Sequence, residues 1–184
     1  HTVRIKEAFL DTSPRNSDPA SGQDWALVRL DRPVGLLYGW VECQSLSEKE
    51  LRAKEVEFVG YSGLSDDARP EFARMGAPYR CPGVVRDVGP NIIFHDCAMW
   101  GGSSGGGLLA WCDGNLRLVA VNSAGVDVDG EVLDRGFRKT YTKDLGNIAI
   151  PAQRFEARYR QLAPQTPVPE PKFRKLWLRN KYRH

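Results

Sequence analysis

The residues best equipped for chemistry form one run, His95-Asp96-Cys97-Ala98-Met99-Trp100-Gly101-Gly102-Ser103-Ser104-Gly105-Gly106-Gly107-Leu108-Leu109. Three glycines directly after a serine, and two before the Ser-Ser pair, cost backbone entropy unless the chain needs unusual dihedral angles or very close approach. A nucleophilic serine needs both. Its hydroxyl must project from a tight turn, and neighbouring amides must face the oxyanion that forms when a carbonyl is attacked. Glycine and serine clusters also occur as flexible loops, so the run by itself leaves both readings open. A second candidate lies upstream, where Asp24 introduces the apolar stretch Trp25-Ala26-Leu27-Val28-Arg29-Leu30. A carboxylate in that position either orients a base or merely opens a strand.

The elements that must position these groups read as strands. Residues 2–9 alternate apolar and polar, as a half-buried strand does. A loop rich in Ser, Pro, Asn, Asp and Gly covers residues 11–23, and Asp31-Arg32-Pro33 stops the strand that Asp24 begins. Residues 45–54 are briefly helical. Residues 56–61 resume the strand pattern, and a polar connection over residues 62–70 could link two lobes. Further strands are expected at 83–86, 91–95, 107–111, 116–122 and 132–133. Short strands about ten residues apart with Gly-rich turns predict an all-β barrel or sandwich.

Near the end, residues 148–162 change character. Pro151 suits the first turn of a helix, and Phe155, Tyr159 and Leu162 recur at helical spacing. Beyond them, Pro164, Pro167, Pro169 and Pro171 give a stiff, extended linker. It leads to a tail in which Lys172, Arg174, Lys175, Arg179, Lys181 and Arg183 alternate with Phe173, Trp177, Leu178 and Tyr182. That tail is either a solvated terminus or a contact for an acidic partner.

Bulk composition narrows the class. The chain has 184 residues, 41% hydrophobic and 27% charged, which suits a folded domain with a sizeable core. Its net charge is +3, much of it from the tail. Apolar runs are short of the roughly 20 residues that span a bilayer, so no transmembrane segment is expected. The four cysteines, Cys43, Cys81, Cys97 and Cys112, show no zinc-like CxxC spacing. Cys81 and Cys97 bracket a possible hairpin without establishing a pairing. No metal or organic cofactor is implied.

Gly102-Ser103-Ser104-Gly105-Gly106 followed by an apolar strand resembles the nucleophile loop of trypsin-like, chymotrypsin-fold serine proteases. The wider His-Asp-Cys and Gly-Ser-Ser-Gly pattern resembles bacterial members that include the glutamyl endopeptidases. The resemblance implies that Ser104 is the nucleophile and that the backbone amides of Gly102 and Ser104 form the oxyanion hole. It implies that Asp24 orients the catalytic histidine, in the His, Asp, Ser order of these enzymes. Ser123 and Gly125, in Val119-Ala120-Val121-Asn122-Ser123-Ala124-Gly125, would pair with an extended peptide substrate. Ala98 would floor the primary specificity pocket and Asn122 would form its wall, where glutamate-specific members carry histidine.

The fold so implied is a two-lobed double β-barrel with an incomplete N-terminal lobe and a C-terminal helix. Residues 1–65 would be the remainder of the first lobe, 66–150 the second, 151–163 the helix, and 164–184 the linker and tail. The expected activity is a serine endopeptidase acting on protein or peptide, in a secreted or periplasmic setting. Among the three histidines, His184 ends the tail, His95 stands where these proteases do not place the base, and His1 lacks the surrounding turn. The catalytic histidine is therefore expected upstream, on a companion chain or segment. An inactive protease-fold binding module is the alternative, and an unrelated adhesion or lectin-like domain a weaker one.

Overall fold

The computed structural model describes residues 2–10, 21–61, 78–97, 102–125 and 146–163. Outside them lie His1, the 62–70 connection, Ala98, the strand expected at 132–133, the Pro-rich linker and the basic tail with His184.

Among the described residues nine strands carry the fold: β1 (Ile5–Leu10), β2 (Ala26–Leu30), β3 (Glu42–Cys43), β4 (Glu55–Tyr61), β5 (Pro78–Val88), β6 (Ile93–His95), β7 (Gly107–Cys112), β8 (Asn115–Gly125) and β9 (Asn147–Pro151). Strands β8, β7, β4, β5, β6 and β9 pair in that order, and β9 returns to β8, so the ring closes into a six-stranded barrel. Closure leaves no unpaired edge around the ring. The short β3 adds parallel to the outside of β8, whereas β1 and β2 form a separate antiparallel pair. Strands β3 and β4 lie on the N-terminal side of the division expected at residue 65, and both hydrogen-bond into this barrel sheet.

Period-2 alternation selects the barrel interior. Val56 and Phe58 of β4 are buried, while Glu57 between them faces outward to Arg80. Phe58 packs among Val56, Val85, Ile93, Leu108, Ala110 and Ala120. A second apolar cluster joins Ile92, Phe94, Ile148, Ile150 and Phe155 on the barrel's flank, and Trp25 and Leu27 pack against it. The Trp25 and Phe155 rings lie 5.9 Å apart at 45°. This contact attaches β2, and therefore the residue before Trp25, to the barrel.

Among the described residues three short helices accompany the strands: α1 (Gly35–Tyr38), α2 (Glu48–Arg52) and α3 (Glu156–Leu162). Helix α2 falls inside the 45–54 stretch and starts at a capping box, in which Ser47 and Glu50 satisfy each other's backbone amides. The C-terminal helix is present, but it begins at Glu156, after strand β9 and a single 3₁₀ turn at Ala152–Arg154. Ile148, Ala149 and Ile150 are all buried between β6 and β8, so β9 shows no alternation and cannot be told from a buried helix by periodicity. Pro151 is extended, with φ −69° and ψ 149°, and closes this strand rather than opening the helix.

Because Phe58 is wholly buried at the barrel's centre, Phe58→Ala should destabilise the chain by about 3–5 kcal/mol. Urea unfolding should show a lower midpoint with an unchanged slope.

Candidate active site

The glycine-rich run enters the barrel at β7. Gly102 and Gly105 have φ of +87° and +84°, in the left-handed region that side chains disfavour. Gly106 is required for a different reason, since a Cβ there would collide with the Phe58 ring. Ser103 O accepts the Gly106 N–H at 3.1 Å, closing a tight turn around Ser104 and Gly105. Two further bonds hold the turn to β8: Gly105 N–H to Asn122 O and Asn122 N–H to Gly106 O, each 2.8 Å. Ser104 is thereby left exposed at the tip, and its hydroxyl donates to Ser123 O at 2.7 Å.

Ser123 also reaches the other candidate group. Its hydroxyl donates to Asp24 Oδ2 at 2.5 Å, across 99 positions of sequence. The register explains how one residue serves both. Asn122 pairs with Ala149 and Ala124 with Ile148, so Ser123 is an extra residue in a bulge of β8. Its carbonyl is released from the ladder and is free to accept from Ser104. Asp24 sits just before β2, and the Trp25 N–H to Gln23 O bond of 2.9 Å turns the chain at that point. Both Asp24 and Ser104 are exposed, so the space flanked by them is open to solvent.

Among the described residues, no backbone carbonyl accepts from the amides of Gly102 or Ser104. Unengaged amides beside an exposed serine hydroxyl can stabilise negative charge on an attacked carbonyl oxygen. Gly125 ends β8 opposite Asn147 and is exposed, whereas Asn122 is only 5% exposed, with its side chain turned inward.

His95 is fully buried, and its Nε2 lies 3.2 Å from Asn122 Oδ1. The ring is thus committed to Asn122 rather than to Ser104. Desolvation pushes its pKa down from 6.5 to about 4, against the weaker opposing pull of Asn122 and Asp96. The four thiols are buried and not joined by disulfides, and Cys97 Sγ donates to Cys81 O at 3.2 Å. Burial pushes the Cys43 and Cys97 thiols up to about 12. No cluster suited to a metal ion occurs among the described residues, and no helix there is long and apolar enough to cross a membrane.

Sequence reasoning named Ser104, Asp24, Gly102, Ser123, Gly125 and Asn122, and the structure brings Ser104, Asp24 and Ser123 together. It missed the Ser123 hydroxyl as the link to Asp24, and the joining of His95 to Asn122. Each partnership spans strands distant in sequence. The only signal available was polar residues at positions of an otherwise apolar strand.

The His95 shift fixes a pH dependence. Between pH 6.5 and 4 the unfolded chain binds a proton that the folded chain does not. Stability should therefore be full above about pH 6.5 and decline to about pH 4, by about 3 kcal/mol from this residue. Urea midpoints between pH 7 and 4 should fall more steeply for the wild type than for His95→Gln, which removes the titrating ring.

No family model matches the chain, and no curated protein is similar to it in sequence. Solved structures do match. A Glu endopeptidase superposes with a TM-score of 0.62 at 19% identity, covering 88% of this chain and 65% of its own. An inactivated protease paralogue from the scabies mite superposes with a TM-score of 0.57 at 12% identity, covering 86% of this chain and 67% of its own. The chain thus spans slightly less than two thirds of the Glu endopeptidase's length. Barrel, flanking strand pair and helix together give this chain a chymotrypsin-like all-β fold.

Proposed function

We propose that the chain is the part of a serine endopeptidase that carries the nucleophile and the orienting carboxylate, with Ser104 and Asp24 in those roles. The observation that carries this reading is their convergence on Ser123, through its carbonyl and its hydroxyl respectively. An imidazole seated in the open space flanked by Asp24 and Ser104 would donate to the carboxylate through one nitrogen. Its other nitrogen would take the Ser104 proton.

Attack by Ser104 Oγ on a peptide carbonyl then builds a tetrahedral oxyanion facing the amides of Gly102 and Ser104. Collapse expels the amine, which takes the proton from the imidazolium. Water, deprotonated by the same imidazole, hydrolyses the acyl-enzyme. An extended substrate would align with the backbone at Ser123 and Gly125, with Ala98 and Asn122 at the primary pocket.

In this reading the base histidine comes from outside residues 1–184, on a preceding segment or a companion chain. His95 is occupied by Asn122, and none of the described residues supplies another imidazole. The small sheet supports the same view, because Ile5, Leu10 and Val28 are 62%, 66% and 50% exposed. Strands completing a first lobe would cover them and could deliver the base beside Asp24.

A fluorophosphonate probe applied to the protein with its upstream sequence should label Ser104, and Ser104→Ala should abolish labelling. Equal labelling of both would remove Ser104 as the nucleophile. No labelling of either would favour a protease-fold binding module. Asp24→Asn should keep the fold and lower peptide hydrolysis on the order of 10⁴-fold, measured as kcat.

A further inference from the structure

Behind the nucleophile turn lies a pair of buried polar side chains that the proposed chemistry does not use. His95 is fully buried and Asn122 is 5% exposed. Asn122 Nδ2 donates to Ser103 O at 3.3 Å, while its Oδ1 faces His95 Nε2 at 3.2 Å. The amide's orientation is determined chemically, since a carbonyl oxygen can only accept. With Nδ2 on Ser103, Oδ1 must face the ring, and the ring must donate from Nε2. His95 Nδ1 is then a bare lone pair, and it is buried without a hydrogen-bond partner among the described residues.

The carbonyl gripped by Asn122 has a special position. Ser103 C=O and Ser104 N–H belong to one planar peptide unit, in which the two groups point in opposite directions. Fixing the carbonyl therefore aims the amide. Ser103 O takes two donors, Gly106 N–H and Asn122 Nδ2, and both draw it toward the barrel. The Ser104 N–H is directed the other way, toward the side on which an attacked carbonyl oxygen would lie.

We infer that His95 and Asn122 are positioning residues that lock the Ser103–Ser104 peptide, so that the Ser104 amide points permanently at the oxyanion. The inference rests on the reading of Ser104 as nucleophile. Neither side chain touches the reacting atoms. Around His95, β5 places Val85 opposite it, β9 places Asn147, and β8 places Asn122. Asp96, adjacent in sequence, is the charged group nearby and is paired with Arg86. A single neutral tautomer suits this setting, because a proton on Nδ1 would be buried with no acceptor.

The test reads the turn directly. In the ¹⁵N-labelled chain at pH 7, the His95 ring should carry its proton on Nε2, with Nδ1 bare. His95→Leu removes the donor to Asn122 and should speed hydrogen exchange at the Gly106 amide by tenfold or more. His95→Gln keeps an N–H near the Nε2 position and should restore most of the protection, a rescue that loss of packing alone does not give. Asn122→Asp can accept from His95 but cannot donate to Ser103, and should exchange as fast as His95→Leu.

Protection at the Phe58 and Leu108 amides reports whether the barrel is intact. If His95→Leu loses it, Asn122→Asp carries the comparison. A wild-type proton on Nδ1, or equal Gly106 exchange in wild type, His95→Leu and Asn122→Asp, would overturn the inference. Fluorophosphonate attachment to the protein with its upstream sequence separates it from the reading on which it rests. A tenfold slower rate in His95→Leu, restored by Gln, supports both. Unreactive wild-type Ser104 defeats the nucleophile assignment and with it the oxyanion role, while the exchange data still decide whether the peptide lock exists.

Discussion

The site depends on one extra residue in β8. Without the bulge at Ser123, alternation would carry the Ser123 carbonyl into the ladder with β9, and the Ser104 hydroxyl would lose its acceptor. The same local kink points the Ser123 hydroxyl at Asp24. The Ser104 hydroxyl on the barrel and the Asp24 carboxylate beside a separate strand pair are thus referenced to a single residue of β8. Their mutual placement is as accurate as the register of β8 against β9, which Ile148 and Ile150 secure by burial on the apolar flank. Register is strongly specified where side chains are buried, because a one-residue slip would turn them outward.

Magnitudes separate what holds the fold from what decorates it. The ion pairs Arg52 with Glu48 and Asp87, Arg80 with Glu57, and Arg86 with Asp96 involve arginine side chains 40–51% exposed. Exposed pairs of this kind are worth about 0–1 kcal/mol each. A single buried phenylalanine such as Phe58 outweighs several of them. Phe58 also links stability to the site, because its ring occupies the space that would otherwise admit a Cβ at Gly106 and Gly60. The core and the turn around Ser104 are therefore one packing problem. A side chain at Gly106 would displace both.

The parts legible in the sequence were those written locally. The Gly-framed Ser104 announced its turn because only glycine adopts the positive φ found at Gly102 and Gly105 without strain. Strands β4, β7 and β8 followed from short apolar stretches set between turn residues, and α2 lies within the stretch 45–54 read as helical. What stayed illegible was long-range or uniform. Strand β9 is apolar throughout and carries no period, so its residues merged with the helix that follows. The Ser123 bulge depends on pairing with a strand more than twenty residues away, and nothing in Val121-Asn122-Ser123-Ala124 states it. His95 beside an aspartate and a cysteine gave no sign that its ring would meet Asn122.

The two sheets differ in how far each is finished. The barrel closes on itself, so every strand in its ring has a neighbour on both sides. A two-stranded sheet is marginal on its own. Here β1 and β2 are retained by Trp25 and Leu27 against the Phe155 cluster, and by Arg158 stacked 4.6 Å from the centre of the Phe9 ring. Their outward face leaves Ile5, Leu10 and Val28 in water, with Leu36, Leu37 and Tyr38 of α1 exposed as well. Asp24 belongs to the strand pair, whereas Ser104, the Gly102 and Ser104 amides and Asn122 belong to the closed barrel. The turn around Ser104 is thus held by the barrel's own hydrogen bonds, whereas Asp24 depends on the attachment of β2 through Trp25.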